Sequence, residues 1–432
     1  MIENLAARIR KTFRALRHRN YRLFVAGQGL SLIGTWAQQV AMSWLTWRLT
    51  ESAVLLGVVA FCANVGMLAL GPMAGVLVDR IDRRTGLLVT QSLLMLQALT
   101  LTAITALGIV QVWHLVALAL FLSVAQTFDV VLRQSSYVLF VEDRADLANA
   151  IALNSMMVNG ARVIGPAVAG LILAVTSEAA CFGINAVSFL FVLFALTRIR
   201  WPAHAPPPSE TGWWPSFVEG ARWAFGFAPA RALLALVALM AFTIVPYSSL
   251  MPIYAQVHFA GGPQTLGFLL SGAGAGALIA MLWLAGRDSV RGLGRVIAGA
   301  ALASGAALAI FSYLSLFPLA LALMIPIGGG VTLAAASSNS ILQTIVDDKL
   351  RGRVAGFYTL AFLGVAPLGH ITAGTVAGAI GVQNAFLING VVCAFGGVLF
   401  LRMLPKLAVD MRPIYRRLGI LPDDSARSRR AT

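Results

Sequence analysis

Hydrophobic residues in this 432-residue chain gather into long runs parted by short polar stretches. The runs lie at 21–47, 53–78, 86–110, 113–134, 150–176, 179–197, 232–257, 266–285, 293–314, 317–341, 354–380 and 385–403. Each is close to or above the roughly 20 residues that a helix needs to cross a bilayer. None shows the roughly ten-residue alternation of a transmembrane β-strand. The pattern predicts an all-α polytopic membrane protein with twelve transmembrane helices.

The runs pair across the chain. Span six holds Phe182-Gly183-Ile184-Asn185 and span twelve Phe386-Leu387-Ile388-Asn389, and Arg198 and Arg402 close those spans at the same offset. Span five has Gly165-Pro166 with Gly170, and span eleven Ala366-Pro367 with Gly374. Span two opens with Leu56-Gly57 and span eight with Leu266-Gly267. These echoes indicate two pseudo-symmetric six-helix bundles, an architecture of secondary transporters that hold substrate near the bilayer midplane and rock about it. The expected parts are an N-terminal segment (1–20), a first bundle (21–198), a linker with an interfacial helix (199–230), a second bundle (231–404) and a basic tail (405–432). The linker is Pro-rich at 202–208, and Trp213, Phe217, Ala221 and Ala224 or Phe225 follow on one helical face. Ile2, Leu5, Ile9, Phe13 and Leu16 recur between arginines, as an amphipathic surface helix would have them. A basic topogenic segment gives the same pattern.

Charge orients this scheme. The formal net charge is +15, and thirty of the 32 Lys and Arg residues fall in the N-terminal segment, near the connections after even-numbered spans, or in the tail. Arg48 lies at the opposite edge and Arg162 inside span five. The asymmetry predicts a multi-pass protein with both termini and the central loop cytoplasmic. The basicity is then an orientation signal with attraction for anionic lipid, not a nucleic-acid footprint. Expected partners are a small-molecule substrate and membrane lipid, with no nucleic acid, and the chain is expected to be a monomer.

A composition of 59% hydrophobic and 11% charged residues excludes a soluble enzyme. The five histidines are scattered, and Cys62, Cys181 and Cys393 all lie in spans, so no catalytic, disulfide or metal pattern emerges. Neither catalysis nor a resident cofactor is expected.

At the end of span two stands Gly75-Val-Leu-Val-Asp79-Arg80-Ile-Asp82-Arg83-Arg84. It resembles the signature of the major facilitator superfamily, with Asp82 where that family usually has Gly. The segments Asp129 to Ser135, Leu147 to Ala150, Asn159 to Gly170, Arg19-Asn20-Tyr21-Arg22 and Arg351-Gly352-Arg353-Val354 resemble the subgroup that includes the bacterial enterobactin exporter. Val131 stands where that subgroup has Pro. The resemblance implies the major facilitator fold, a bacterial inner-membrane location and export. It also implies that Asp79 caps the start of span eleven near Arg353, that the motif Arg pairs with Asp129, and that Gly165-Pro166 is the antiporter motif of span five. Gly75, Asp79, Arg80, Arg83, Arg84, Asp129, Arg133, Gly165, Pro166 and Gly170 are thus the expected gating residues.

The family geometry places spans one, four, seven and ten around the cavity. Their mid-depth polar and aromatic residues include Trp36, Gln38, Gln39, Gln126, Tyr247 and Thr332, and span five adds Asn159 and Arg162. A cation within a span is costly and usually functional. Arg162 either attracts an anionic group of the substrate or bonds backbone carbonyls at the Pro166 break or neighbouring helices, and its presence in relatives of differing substrate favours the structural or gating role. Proton coupling, if used, falls to Asp129 or His370, since span one carries no acid. Pro246 and Pro252 in span seven, and Pro326 with Gly328-Gly329-Gly330 in span ten, predict bends or breaks. The expected function is export of a siderophore-like metabolite or drug by alternating access. Uptake, or a non-transporting sensor or scaffold, are the alternatives.

Overall fold

The computed structural model describes residues 13–78, 81–201, 213–287 and 289–421. No strand occurs among them. The first half contains α1 (Arg19–Thr50), α2 (Ala53–Val78), α3 (Arg83–Ala106), α4 (Val112–Phe140), α5 (Leu147–Val175) and α6 (Glu178–Arg198). A short helix, α7 (Trp213–Gly226), leads into α8 (Ala228–Thr243), α9 (Tyr247–Ile253), α10 (Pro263–Ala285), α11 (Leu293–Phe311) and α12 (Phe317–Ile345). Then follow α13 (Arg351–Thr359), α14 (Ala366–Ile380) and α15 (Val382–Arg417). Among the described residues eleven helical stretches are long and apolar enough to cross a membrane. The expected twelfth, α1, is not one of them. Its glutamines, tryptophans and hydroxyl residues dilute its apolar character, and packing against α5 and α6 supports it instead.

Prolines act differently in the two places where breaks were expected. Span seven does break, into α8 and α9 with Pro246 at the junction, and a π turn Tyr254–His258 follows. Span ten does not, because α12 runs unbroken through Pro326. Ser304 of α11 donates to the Pro326 carbonyl at 3.0 Å, and Gly328 packs directly on the backbone of Ala273. Neighbouring helices thus pack closely against the helix at and just after Pro326. Span eleven carries a π turn, Leu360–Gly364, between α13 and α14. The helix α15 continues through Pro405 and Pro413 to Arg417, so the described start of the expected tail is helical. At the other end, Arg14–Arg17 form a single 3-10 turn, and Phe13 is exposed; Ile2, Leu5 and Ile9 lie outside the described residues. In α7, Ala224 is buried and Phe225 exposed. The side chains of Trp213 and Phe217 lie outside the description.

The repeat seen in the sequence is used in packing. Phe182 and Phe386, its matched pair, are both fully buried. The halves meet along α2 with α14 and α5 with α10. In each seam a glycine faces its counterpart. A Cβ on Gly57 would lie 3.0 Å from the Gly374 Cα, and one on Gly267 would lie 3.0 Å from the Gly170 Cα. Further along the second seam, Ser271 donates to the Val163 carbonyl at 2.7 Å. Gly160 of α5 and Gly352 and Gly356 of α13, nearer the face that carries the basic loops, have nothing within 4 Å of where a Cβ would stand. The glycine contacts between the halves therefore gather toward the face poor in basic residues.

Candidate functional site

Arg162 sits where the seam ends. Its backbone carbonyl abuts Gly274 of α10. Its guanidinium lies over the Trp36 ring, 5.3 Å from the centroid. Gly165 sits against the Trp36 Cβ and the Ile33 backbone, so the absence of a side chain there lets α5 approach α1 and sets this stack. Tyr247, at the start of α9, is buried within electrostatic reach of Arg162. Among the described residues no carboxylate pairs with this guanidinium. A cation–π stack leaves the guanidinium N–H donors free to bind an anion at its edge. Trp36, Arg162 and Tyr247 come from three helices and both halves, which is the arrangement a substrate site between the halves requires.

The other candidates separate by their partners. Gln39 is exposed and Gln126 half-buried. Gln38 is buried and fully engaged: it donates to Gln97 at 2.9 Å and accepts from Asn185 at 2.8 Å. It ties α1 to α3 and α6. Asn159 donates to the Ser155 carbonyl and Thr332 to the Gly328 carbonyl, each within its own helix.

The gating residues are partly visible. Asp79 and Arg80 lie outside the described residues, and Gly75 lies in α2 without described surroundings. Asp82, the departure from the signature, caps α3 by accepting from the Thr85 N–H at 2.8 Å, and that hydrogen bond holds its carboxyl below the usual range. Among the described residues Asp129 is not paired with Arg83 or Arg84. It accepts from Gln91 at 2.7 Å and Thr90 at 3.1 Å, with Arg133 at 3.5 Å. Arg353, at the start of α13, pairs with Glu219 of α7. His370 is buried against Ser249 at 3.0 Å, and its carbonyl touches Gly57 at the closed seam.

Sequence reasoning missed three arrangements. Arg48, seemingly alone at its edge, pairs with Glu178 through two bonds of 2.8 and 3.1 Å. The Tyr21 hydroxyl donates to the Ala150 carbonyl at 2.7 Å, and Asn149 accepts from the Ala15 N–H at 2.9 Å. Two motifs far apart in sequence thus hold each other. Beside them Asp146 gathers His18 at 2.9 Å, Arg17 at 2.8 Å, and Arg14. Burial alone would raise the Asp146 carboxyl, but the His18 hydrogen bond and the two guanidiniums outweigh it and hold the group below the usual range. Charged and polar residues within about four positions of a partner are legible in sequence; these pairs span both ends of the half.

No cluster of metal-ligating side chains occurs among the described residues. A family model described as transmembrane secretion effector matches residues 10–418. The chain is 24% identical over 392 residues to the staphyloferrin A transporter of Staphylococcus aureus, covering 90% of this chain and 97% of that one. It is 26% identical over 402 residues to the multidrug efflux pump Tap of Mycolicibacterium fortuitum, covering 90% and 95%. It is 24% identical to the macrolide efflux protein A of Streptococcus pyogenes, covering 84% and 91%. The crystal structure of the nucleoside transporter NupG superposes with a TM-score of 0.72 at 14% identity, over 89% of this chain and 99% of that one. That likeness supports the major facilitator fold.

Proposed function

The chain belongs to the transmembrane secretion effector family of major facilitator exporters, and from that premise we propose that its cargo is an anionic, amphipathic organic molecule of the siderophore type, carried out across the bacterial inner membrane. The observation that carries this is Arg162, a cation between the halves stacked on Trp36 with no carboxylate partner among the described residues. A catecholate or carboxylate would supply the missing charge, and the Trp36 face and Tyr247 its apolar surface. The relatives named above include a siderophore transporter and two drug effluxers, so a drug is the competing cargo.

In this reading the basic face is cytoplasmic, with both termini on that side. An arrangement joined at the glycine seams of the opposite face is then the loading state of an exporter. The transporter works as a monomer without a cofactor, and coupling is to protons through Asp129 or His370. Inside-out vesicles test direction. Export predicts accumulation of a radiolabelled siderophore or drug in them and none in right-side-out vesicles. Accumulation only in right-side-out vesicles would make the protein an uptake system, and none in either, across siderophore and drug panels, would leave it a sensor or scaffold.

A further inference from the structure

Away from the space between the halves, the basic face holds a cavity of about 660 Å³ bounded by the start of α11, the end of α12 and the extension of α15. Its lining is of two kinds. Arg291, Arg295 and Arg412 supply charge, and Leu401, Leu404 and Ala408 an apolar wall. The helix α11 begins beside them at Gly292, whose φ of 80° turns the chain into the helix, and no side chain caps that start. Its first N–H groups add positive potential to the arginines. Among the described residues neither Arg295 nor Arg412 has an ion-pair partner. The nearby acid Asp347 pairs with Arg417 instead.

The cavity lies at the lipid boundary. Leu401, which lines the cavity, and Leu399 and Met403 beside it on α15 are exposed. In a membrane-spanning chain such apolar residues face acyl chains. We infer that this cavity binds one anionic phospholipid, its phosphate between Arg291, Arg295 and Arg412 and one acyl chain against Leu401, Leu404 and Ala408. A soluble phosphate would satisfy the arginines and leave the apolar wall wet. A neutral lipid would cover the wall and leave three cations unmatched. Only an anionic lipid uses both halves of the lining.

Native mass spectrometry of the full-length protein, titrated with phosphatidylglycerol, phosphatidylcholine or inorganic phosphate, tests this. Wild type is expected to retain phosphatidylglycerol in preference to phosphatidylcholine. The Arg295→Gln/Arg412→Gln variant should bind phosphatidylglycerol roughly thirtyfold more weakly, as removal of two arginines near an anionic headgroup implies. The Ala408→Trp variant keeps the arginines and fills the wall, and should also lose phosphatidylglycerol binding. Unchanged melting in lipid-free detergent shows that the variants are folded. Equal retention of the two lipids by wild type, or undiminished phosphatidylglycerol binding by both variants, would overturn the assignment. Inorganic phosphate displacing phosphatidylglycerol at equal concentration would overturn it too, in favour of a soluble anion.

Discussion

The paired glycine seams make a specific demand on the transport cycle. A methyl group on Gly57 would stand 2.6 Å from the His370 carbonyl oxygen, and one on Gly267 2.5 Å from the Pro166 carbonyl oxygen. Both neighbours are helix backbone and cannot rotate aside. Restoring an ordinary carbon–oxygen contact requires each seam to widen by roughly 0.7 Å. Overpacking of this kind costs about 1–3 kcal/mol per site. The cost falls only on the state in which these seams are shut. Each substitution should therefore shift the population away from the state with these seams shut by about 5- to 150-fold. Replacing Gly by Ala inside a helix otherwise favours the helix by roughly 0.5–1 kcal/mol, so global stability should hold. Spin labels at Ser52 and Gln383, beside the α2–α14 seam, read the separation by double electron–electron resonance. The double variant Gly57→Ala/Gly267→Ala should gain a longer-distance population there and lose transport. An unchanged distance distribution with normal turnover would refute the reasoning, because the seams would then not be the closing surfaces.

Three further outcomes are expected. The Asp146 carboxyl is depressed in the folded state, so its stabilising contribution is complete above the unfolded carboxylate range near pH 3.9 and is lost as pH falls through the lower folded value; melting of wild type and Asp146→Asn should differ at pH 7 and converge in acid, and a constant difference at every pH would contradict this. Gln38→Leu leaves the Asn185 amide and the Gln97 carbonyl unpaired in the bundle, so stability should fall by about 1–3 kcal/mol in detergent melts, with the order of preference among substrates unchanged; altered preference would place Gln38 in the site after all. Of Asp129→Asn and His370→Gln, the variant that removes the coupling group should keep substrate counterflow while losing its response to a pH gradient, and an unaltered response in both would exclude these two groups from coupling.

The sequence was legible where physics is local or repeated. Span length, positive-charge asymmetry and the glycine echoes each map onto one helix or one pair of helices, and the echoed glycines make the same contact twice: Gly57 with Gly374, and Gly267 with Gly170. Helix α1 was legible as a run at 21–47, but the partners of its polar residues on α3 and α6 were not. The prolines show the same limit. Pro246 stands where its span breaks, whereas the helix runs on through Pro326, and the sequence around the two prolines does not by itself distinguish them. Of the site, Arg162 was identifiable from its position alone, but its stacking on Trp36 depends on the close approach at Gly165. Among the described residues Arg162 has no hydrogen bond at the Pro166 break, and its stack on Trp36 is a contact with a neighbouring helix, as the structural reading also allows.

The central claim is that Arg162 receives the negative charge of an exported molecule. Its most direct measurement is uptake into inside-out vesicles by wild type, Arg162→Lys and Arg162→Gln, with an anionic siderophore and a neutral ester of the same scaffold. Loss of a charge-assisted contact worth about 1.5–3 kcal/mol predicts that Arg162→Gln transports the anion at least about tenfold less efficiently in kcat/KM. The neutral ester should be nearly unaffected, and Arg162→Lys should restore part of the anion transport. An equal fall for both molecules, unrelieved by lysine, would contradict the claim and make Arg162 a structural residue of the seam.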